Sequence, residues 1–168
     1  RYGYIEQLDD ELLRISKESF DALSFNCYAL SPDHEKMNHA LEISGLPMII
    51  GEYHFGTVDR GLAQSLWQVN SQKERGDAFR YYTENAFAHR GLIGTGWFRW
   101  IDQNINGRTD GENYNCGFID VTDRPYPYMV DAAIETAKSV YEIHSGTKKP
   151  FHQTPNAVGH SPIPDLWE

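Results

Sequence analysis

Pro47-Met48-Ile49-Ile50-Gly51-Glu52-Tyr53-His54-Phe55-Gly56 is the stretch on which the reading of this chain turns. Leu46 to Ile50 is an apolar run that closes on a single acid. Such a run is typical of a strand buried on both faces, as in a parallel sheet covered by helices. Glu52 then stands where the strand emerges. A carboxylate there is costly to bury unless it is paired or hydrogen-bonded. The plain alternative is a strand-end glutamate that reaches water.

Upstream, Ala22 to Tyr28 reads as a short buried strand, and Asp9 to Phe20, with Leu12, Leu13, Ile15 and Phe20, as a short helix. Ser31-Pro32 predicts a cap and first helical position for a helix to about Ser44, ended by Gly45. Downstream, Gly56 to Asn70 is a long loop. Ser71-Gln72-Lys73-Glu74 predicts a capping box for a helix to about His89, and Leu92 to Ile101 a third strand. Asp102 to Asp123, rich in Gly, Asn and Asp, reads as a loop. Pro127 opens a last helix with an apolar stripe of Met129, Val130, Ala133, Ile134, Ala137, Val140 and Tyr141. Residues 1–146 read as the folded unit and 147–168, polar and proline-rich, as an extended surface tail.

Strands alternating with helices imply an α/β fold with parallel strands under helices. Three such strands alone would leave two apolar edges exposed, which proteins avoid. Strands outside this chain are therefore expected to complete the sheet. A doubly wound sheet and a barrel both fit this order. No glycine-rich phosphate loop follows any strand, which weakens the nucleotide-binding version.

Composition narrows the partners. The net charge of −9, from 24 acidic and 15 basic residues, argues against nucleic acid, since phosphate binding needs a concentrated positive field. A neutral sugar would be indifferent to it. No apolar run reaches the roughly 18 residues of a membrane span, so no membrane partner is expected. Cys27 and Cys116 make no disulfide framework and offer no metal spacing; two buried thiols are the simple reading, and the redox compartment stays open. Arg1 in place of an initiator Met is what a processed, truncated or internally numbered chain would show. Aromatics cluster around Trp97, Trp100, Tyr114, Tyr126 and Tyr128, where they could face sugars or fill a core.

In a barrel, catalytic groups lie at the C-terminal ends of strands. Those ends here are Asn26-Cys27-Tyr28, Glu52-Tyr53-His54 and Trp97 to Gln103. A Tyr28 hydroxyl near the Glu52 carboxylate could hold and orient it; a core tyrosine with a local hydrogen bond fits as well. His54 could bind a sugar hydroxyl, but no second ligand stands at metal spacing. Asp102-Gln103-Asn104-Ile105-Asn106-Gly107 resembles the start of a calcium loop, yet its twelfth position is Asn113, with Glu112 one residue early, and its flanks are not two helices. No metal and no cofactor are expected. Serine and cysteine nucleophiles lack an elbow motif.

Taken together, Pro47 to Gly56 followed by Asp59-Arg60-Gly61 resembles the seventh-strand segment of family 50 glycoside hydrolases, the β-agarases. Gly94-Thr95-Gly96-Trp97-Phe98 with Asp102-Gln103 resembles their eighth strand. Gly107-Arg108, Asp110 to Tyr114, Gly117 to Asp123 and Pro125-Tyr126-Pro127 resemble the loop that follows. The resemblance covers roughly residues 20–144. It implies the C-terminal part, about strands six to eight, of a clan-A (β/α)8 barrel and a retaining β-glycoside hydrolase acting on a galactan such as agarose. Glu52 maps to the nucleophile. The acid/base, a glutamate at the end of strand four, lies outside this chain. Asn26, Tyr28, His54, Trp97, Trp100, Asp102, Gln103, Glu112 and Asn113 become candidate substrate contacts, with Trp97 or Trp100 as sugar platform. An oligosaccharide or polysaccharide substrate and the remaining N-terminal part of the barrel, in the same or a separate chain, are the implied partners. Secretion or a periplasmic location goes with an agarase. Another clan-A β-glycosidase, β-galactosidase-like, or a non-catalytic barrel fragment are the alternatives.

Overall fold

The computed structural model describes residues 1–159. Its sheet holds four parallel strands, β1 (Tyr2–Tyr4), β2 (Leu23–Asn26), β3 (Met48–Tyr53) and β5 (Leu92–Trp97), in that spatial order. Helices α1 (Asp10–Ser19), α2 (His34–Ser44) and α3 (Gln72–Phe87) make the crossovers, and α4 (Pro127–His144) follows the last strand. A small antiparallel pair joins β4 (Trp67–Gln68) to β6 (Val158–Gly159). The sequence predicted three of the parallel strands. β1 is a fourth, unread because three residues around a glycine carry no periodicity. β5 stops at Trp97 rather than Ile101, which meets Ile119 only as an isolated bridge. No helix among the described residues is long and apolar enough to cross a membrane.

Helices α1, α2 and α3 each start where a side chain satisfies free amides, while α4 starts on Pro127 with no side-chain cap. Asp9 accepts from Leu12 N at 2.8 Å for α1. For α2 the cap is Asp33, accepting from Glu35 N and Lys36 N, and not Ser31; a carboxylate closing two amides outcompetes a serine two residues earlier. Gly45 ends α2 in the left-handed region, φ 67°. Ser71 caps α3 through Glu74 N, but the Glu74 carboxylate turns to Asn70 rather than back to Ser71.

One face of the sheet is wholly buried under the helices. Leu23, Phe25, Met48, Ile50, Tyr53 and Leu92 pack there with Leu13, Met37, Ala78, Tyr82 and Met129. The other face is not covered: Ile49 is half-buried and Ile93 is 57% exposed. The expectation of strands buried on both faces thus holds for one face within these residues. β3 also breaks the two-residue alternation. Ile50 and Tyr53 both point into the helical layer, and the pairing register shifts between them. Gly51 and Glu52 are thereby both left on the open face. Irregularities of this kind re-aim side chains at strand ends.

α4 corrects the expected stripe. Its buried residues are Met129, Ala132, Thr136, Ser139 and Ile143, while Ile134 and Tyr141 are exposed. The cause lies in α3. A Cβ on Gly76 would sit 2.5 Å from Tyr128 O, so the helices approach closely there. Glu84, buried in α3, accepts from Thr136 Oγ1 at 3.1 Å. Small and hydroxyl-bearing residues fit that surface better than the aliphatic ones. Beyond α4 the chain turns at 145–148, carries no regular structure at 149–157, and is anchored at Phe151 and at β6. The remainder of the expected tail, 160–168, lies outside the described residues. Cys27 and Cys116 are buried free thiols.

Candidate active site

Glu52 sits at the C-terminal end of β3 and faces a cleft of about 230 Å³. Three donors, one just before β1 and two at and just after the end of β2, converge on it. The Arg1 guanidinium pairs with Oε1, while Asn26 Nδ2 (3.0 Å) and the Tyr28 hydroxyl (2.8 Å) donate to Oε2. Gly51 makes room for this convergence. A Cβ there would meet Ser24 Oγ at 3.1 Å and both Arg1 Nε and Asn26 Oδ1 at 3.3 Å. Burial, and next the Glu52 charge, push the Tyr28 phenol well above its ordinary range, so it stays a proton donor.

His54, two residues on, is 1% exposed. Leu66 N donates to its Nε2 at 3.1 Å, and Nδ1 lies 3.1 Å from Phe98 O. An Nε2 that accepts leaves the proton on Nδ1, which donates to the carbonyl. Burial pushes the imidazole down to about 3, against the pull of the Phe98 carbonyl and helped by the Arg75 charge. His54 is a neutral strut between the 54–66 loop and the segment after β5, edge-on to the Tyr28 ring at 5.0 Å.

The far wall of the cleft comes from the loop after β5. Glu112 and Arg108 line it with Phe98, Leu66 and Tyr4. Gln103, fully buried, accepts from Tyr114 N at 2.6 Å and donates to Glu112 Oε2 at 2.7 Å. Arg108 reaches Glu112 at 3.3 Å and Asp110 at 2.8 Å. The loop itself hangs on a buried polar knot. Asp102 accepts from Asn115 Nδ2, Gly117 N and the Tyr126 hydroxyl. Arg75, 0% exposed, donates to Asn115 O and Gly117 O and stacks 4.4 Å over the Tyr126 ring. Among the described residues no group of three His, Cys, Asp or Glu could hold a metal.

Comparison with known proteins bears on this arrangement. β-Agarase A of Vibrio sp. (strain JT0107) is 39% identical over 128 residues, 72% of this chain and 13% of the relative. A solved agarase superposes with a TM-score of 0.77 at 37% identity, over 82% of this chain and 20% of its own. The structure of an exo-β-agarase gives 0.76 at 36% identity, over 81% and 18%. The chain is related to the β-agarases of glycoside hydrolase family 50. The likeness is to the C-terminal portion of their barrel. No family model matches the chain. The chain spans 13% of the length of the curated agarases it matches.

Against that relationship, the predicted contacts divide. The structure brings Asn26, Tyr28, His54 and Glu112 around Glu52, with Gln103 behind Glu112. It places four others differently. Asp102 is a correction: at 4% exposure its carboxylate is spent on the loop knot, and no lone pair faces the cleft. Trp97 is another. Its ring packs against Tyr53, Phe79 and Phe118, and its indole N–H is held by Cys116 O at 2.7 Å. Asn113 ties Ala63 N and Ile105 O rather than lining the cleft. Trp100 is 68% exposed and stacks on Phe118, outside the cleft's lining. Arg1, Tyr4, Leu66, Phe98 and Arg108 were not read from the sequence. Phe98, within the agarase-like Gly94-Thr95-Gly96-Trp97-Phe98, and Arg108, within Gly107-Arg108, carried signals that could have found them.

Proposed function

We propose that this chain is the C-terminal part, about strands six to eight with β1 preceding them, of a retaining β-glycoside hydrolase barrel acting on a galactan such as agarose. Glu52 is its nucleophile. The observation that carries this reading is the Glu52 carboxylate, oriented by Arg1, Asn26 and Tyr28 at a strand end and open to a cleft. One Glu52 oxygen attacks the anomeric carbon and the glycosidic bond breaks, leaving a glycosyl-enzyme ester. The acid/base that protonates the leaving oxygen, and then takes a proton from the attacking water, comes from the barrel portion outside this chain. The uncovered sheet face around Ile49 and Ile93 supports such a missing portion as partner. Glu112, fixed by Gln103, accepts from sugar hydroxyls on the far wall. Among the described residues Trp100, 68% exposed, is the tryptophan with a face open to a sugar ring.

The test is Glu52→Gln in the complete enzyme. The amide keeps shape and cannot act as nucleophile, so turnover of agarose oligosaccharides should fall by at least about a thousandfold with sugar binding retained. A loss below about tenfold removes Glu52 from the role. Turnover of nitrophenyl galactosides in preference to agarose oligosaccharides would favour a β-galactosidase-like enzyme instead.

A further inference from the structure

We propose that residues 150–159 are a strap that positions the cleft wall. They are clipped to α3 at Phe151 and paired with β4 at Val158–Gly159, and so hold the 56–69 loop and, through Leu66, the imidazole of His54. The strap's bearing on catalysis rests on the reading of Glu52 as nucleophile; its bearing on His54 does not.

The first anchor is a buried charge. Glu84 is 1% exposed and accepts from Arg80 Nε at 2.9 Å, Thr136 Oγ1 at 3.1 Å and Phe151 N at 2.8 Å. A carboxylate at that depth is strongly destabilising if a partner is removed. The Phe151 amide is therefore part of what makes Glu84 tolerable, and the strap cannot leave α3 without exposing that debt in desolvation. Asn85 Nδ2 takes the Phe151 carbonyl at 3.1 Å, and the Arg80 guanidinium covers the Phe151 ring at 4.6 Å. Backbone and side chain of one residue are thus both fixed.

The second anchor reaches the cleft. β6 pairs antiparallel with β4, Gly159 opposite Trp67 and Val158 opposite Gln68. The Trp67 indole lies on Gly159, where a Cβ would come within 3.0–3.3 Å of three ring atoms. A two-residue strand has little stability of its own, and the added strand gives β4 a second partner. β4 in turn clamps the loop: Gly56 N donates to Trp67 O and Val69 N to Gly56 O, both at 2.9 Å. Ser65 Oγ donates to the same Trp67 carbonyl at 2.7 Å. The next residue, Leu66, lines the Glu52 cleft and donates to His54 Nε2. The route runs from Phe151 along the chain to Gly159, and from there by contact to Trp67, Leu66 and His54.

In the full chain, Gly159→Val unseats the Trp67 ring, which lies at the edge of the core, and Phe151→Ala loosens the first anchor. Either variant should raise amide exchange at Leu66 and Val69 by about tenfold or more while amides of α4 stay protected. The His54 ring, read by imidazole 15N shifts, should lose its fixed tautomer and begin to titrate toward the ordinary histidine value near 6.5. In the complete enzyme, KM for an agarose oligosaccharide should rise several-fold with kcat nearly unchanged, a loss of uniform binding. A purely structural tail would lower global stability without moving the His54 tautomer or splitting KM from kcat. Unchanged exchange at Leu66 and an unchanged His54 ring in Gly159→Val overturn the strap, whatever Glu52→Gln does. Changed exchange with an active Glu52→Gln keeps the strap and overturns the nucleophile.

Discussion

Glu52, in the C-terminal part of β3, and Asp102, five residues beyond β5, are both single acids on the C-terminal side of a strand, and their surroundings are opposite. An ionised carboxylate offers about four lone-pair sites. Among the described residues Asp102 accepts four hydrogen bonds, two from Asn115, one from Gly117 N and one from Tyr126. Glu52 accepts three, one on Oε1 and two on Oε2. Asp102 is saturated and enclosed, while the Glu52 side chain keeps 24% of its surface. Standing at a strand end does not make an acid reactive. What decides is whether its donors leave one lone pair for a substrate.

The largest effect expected from this contrast is on stability. Asp102→Ala strands Asn115, Tyr126 and the buried Arg75, and should cost about 3–5 kcal/mol, as the loss of one partner in a buried charged network does. Glu52→Gln, at a partly exposed site that keeps its shape, should cost less than about 1 kcal/mol. Urea unfolding of both variants reads the difference. Equal losses would erase the distinction between a structural and a functional acid.

That contrast also marks what the sequence could tell. The apolar run ending at Glu52 is local, and β3 with its acid was legible from adjacent residues. Tyr28 and Asn26 were legible because they end the neighbouring strand of a parallel sheet. The saturation of Asp102 was not, since its donors lie 13, 15 and 24 positions away and converge only once the loop folds. Arg75 is a surface residue by composition, and its burial depends on carbonyls of Asn115 and Gly117. The face of α4 was misread for a similar reason. Periodicity finds the apolar side of a helix, but Gly76 and Glu84 of α3 decide which side packs.

His54 joins the two regions, and pH should separate them. Its imidazole is held neutral, with its folded value near 3 below the unfolded value of about 6.5. The unfolded chain therefore binds more protons in that window. The stability His54 contributes is full above pH 6.5 and is lost as pH falls from 6.5 toward 3, by a few kcal/mol. Unfolding free energies measured across this range should slope upward with pH, and His54→Phe should flatten that slope. A wild-type curve that rises as pH falls through the window would mean that His54 is charged in the fold.

Tyr28→Phe asks how much of the Glu52 arrangement hangs on one donor. The ring remains against His54, and only the hydroxyl at 2.8 Å is lost. Arg1 and Asn26 still hold the carboxylate, so turnover of the complete enzyme should drop by about tenfold, with stability changed by no more than about 1 kcal/mol. An undiminished rate would leave Arg1 and Asn26 as sufficient orienters.

The smallest effect concerns Glu112, the acid in this region that does face the cleft. It belongs to the loop knotted by Asp102, yet its carboxylate is 22% exposed and shares the cleft with Glu52. Gln103 explains why it points there. The buried amide is locked by Tyr114 N on one side, so its N–H can serve only Glu112 on the other. Arg108 screens the charge from Glu52 across the cleft. Glu112 is thus preorganised as an acceptor, and an anion accepting from sugar hydroxyls makes the stronger class of hydrogen bond. On the proposed role of Glu112 as a sugar contact, Glu112→Ala should raise KM about tenfold with kcat little changed, as the loss of uniform binding does. Chelation of calcium should change nothing, since Asp102 has no free oxygen and Asn104 Oδ1 already caps Asn106 N at 2.9 Å. Calcium-dependent binding, or an unchanged KM in Glu112→Ala, would return the whole loop after β5 to the structural side of the comparison.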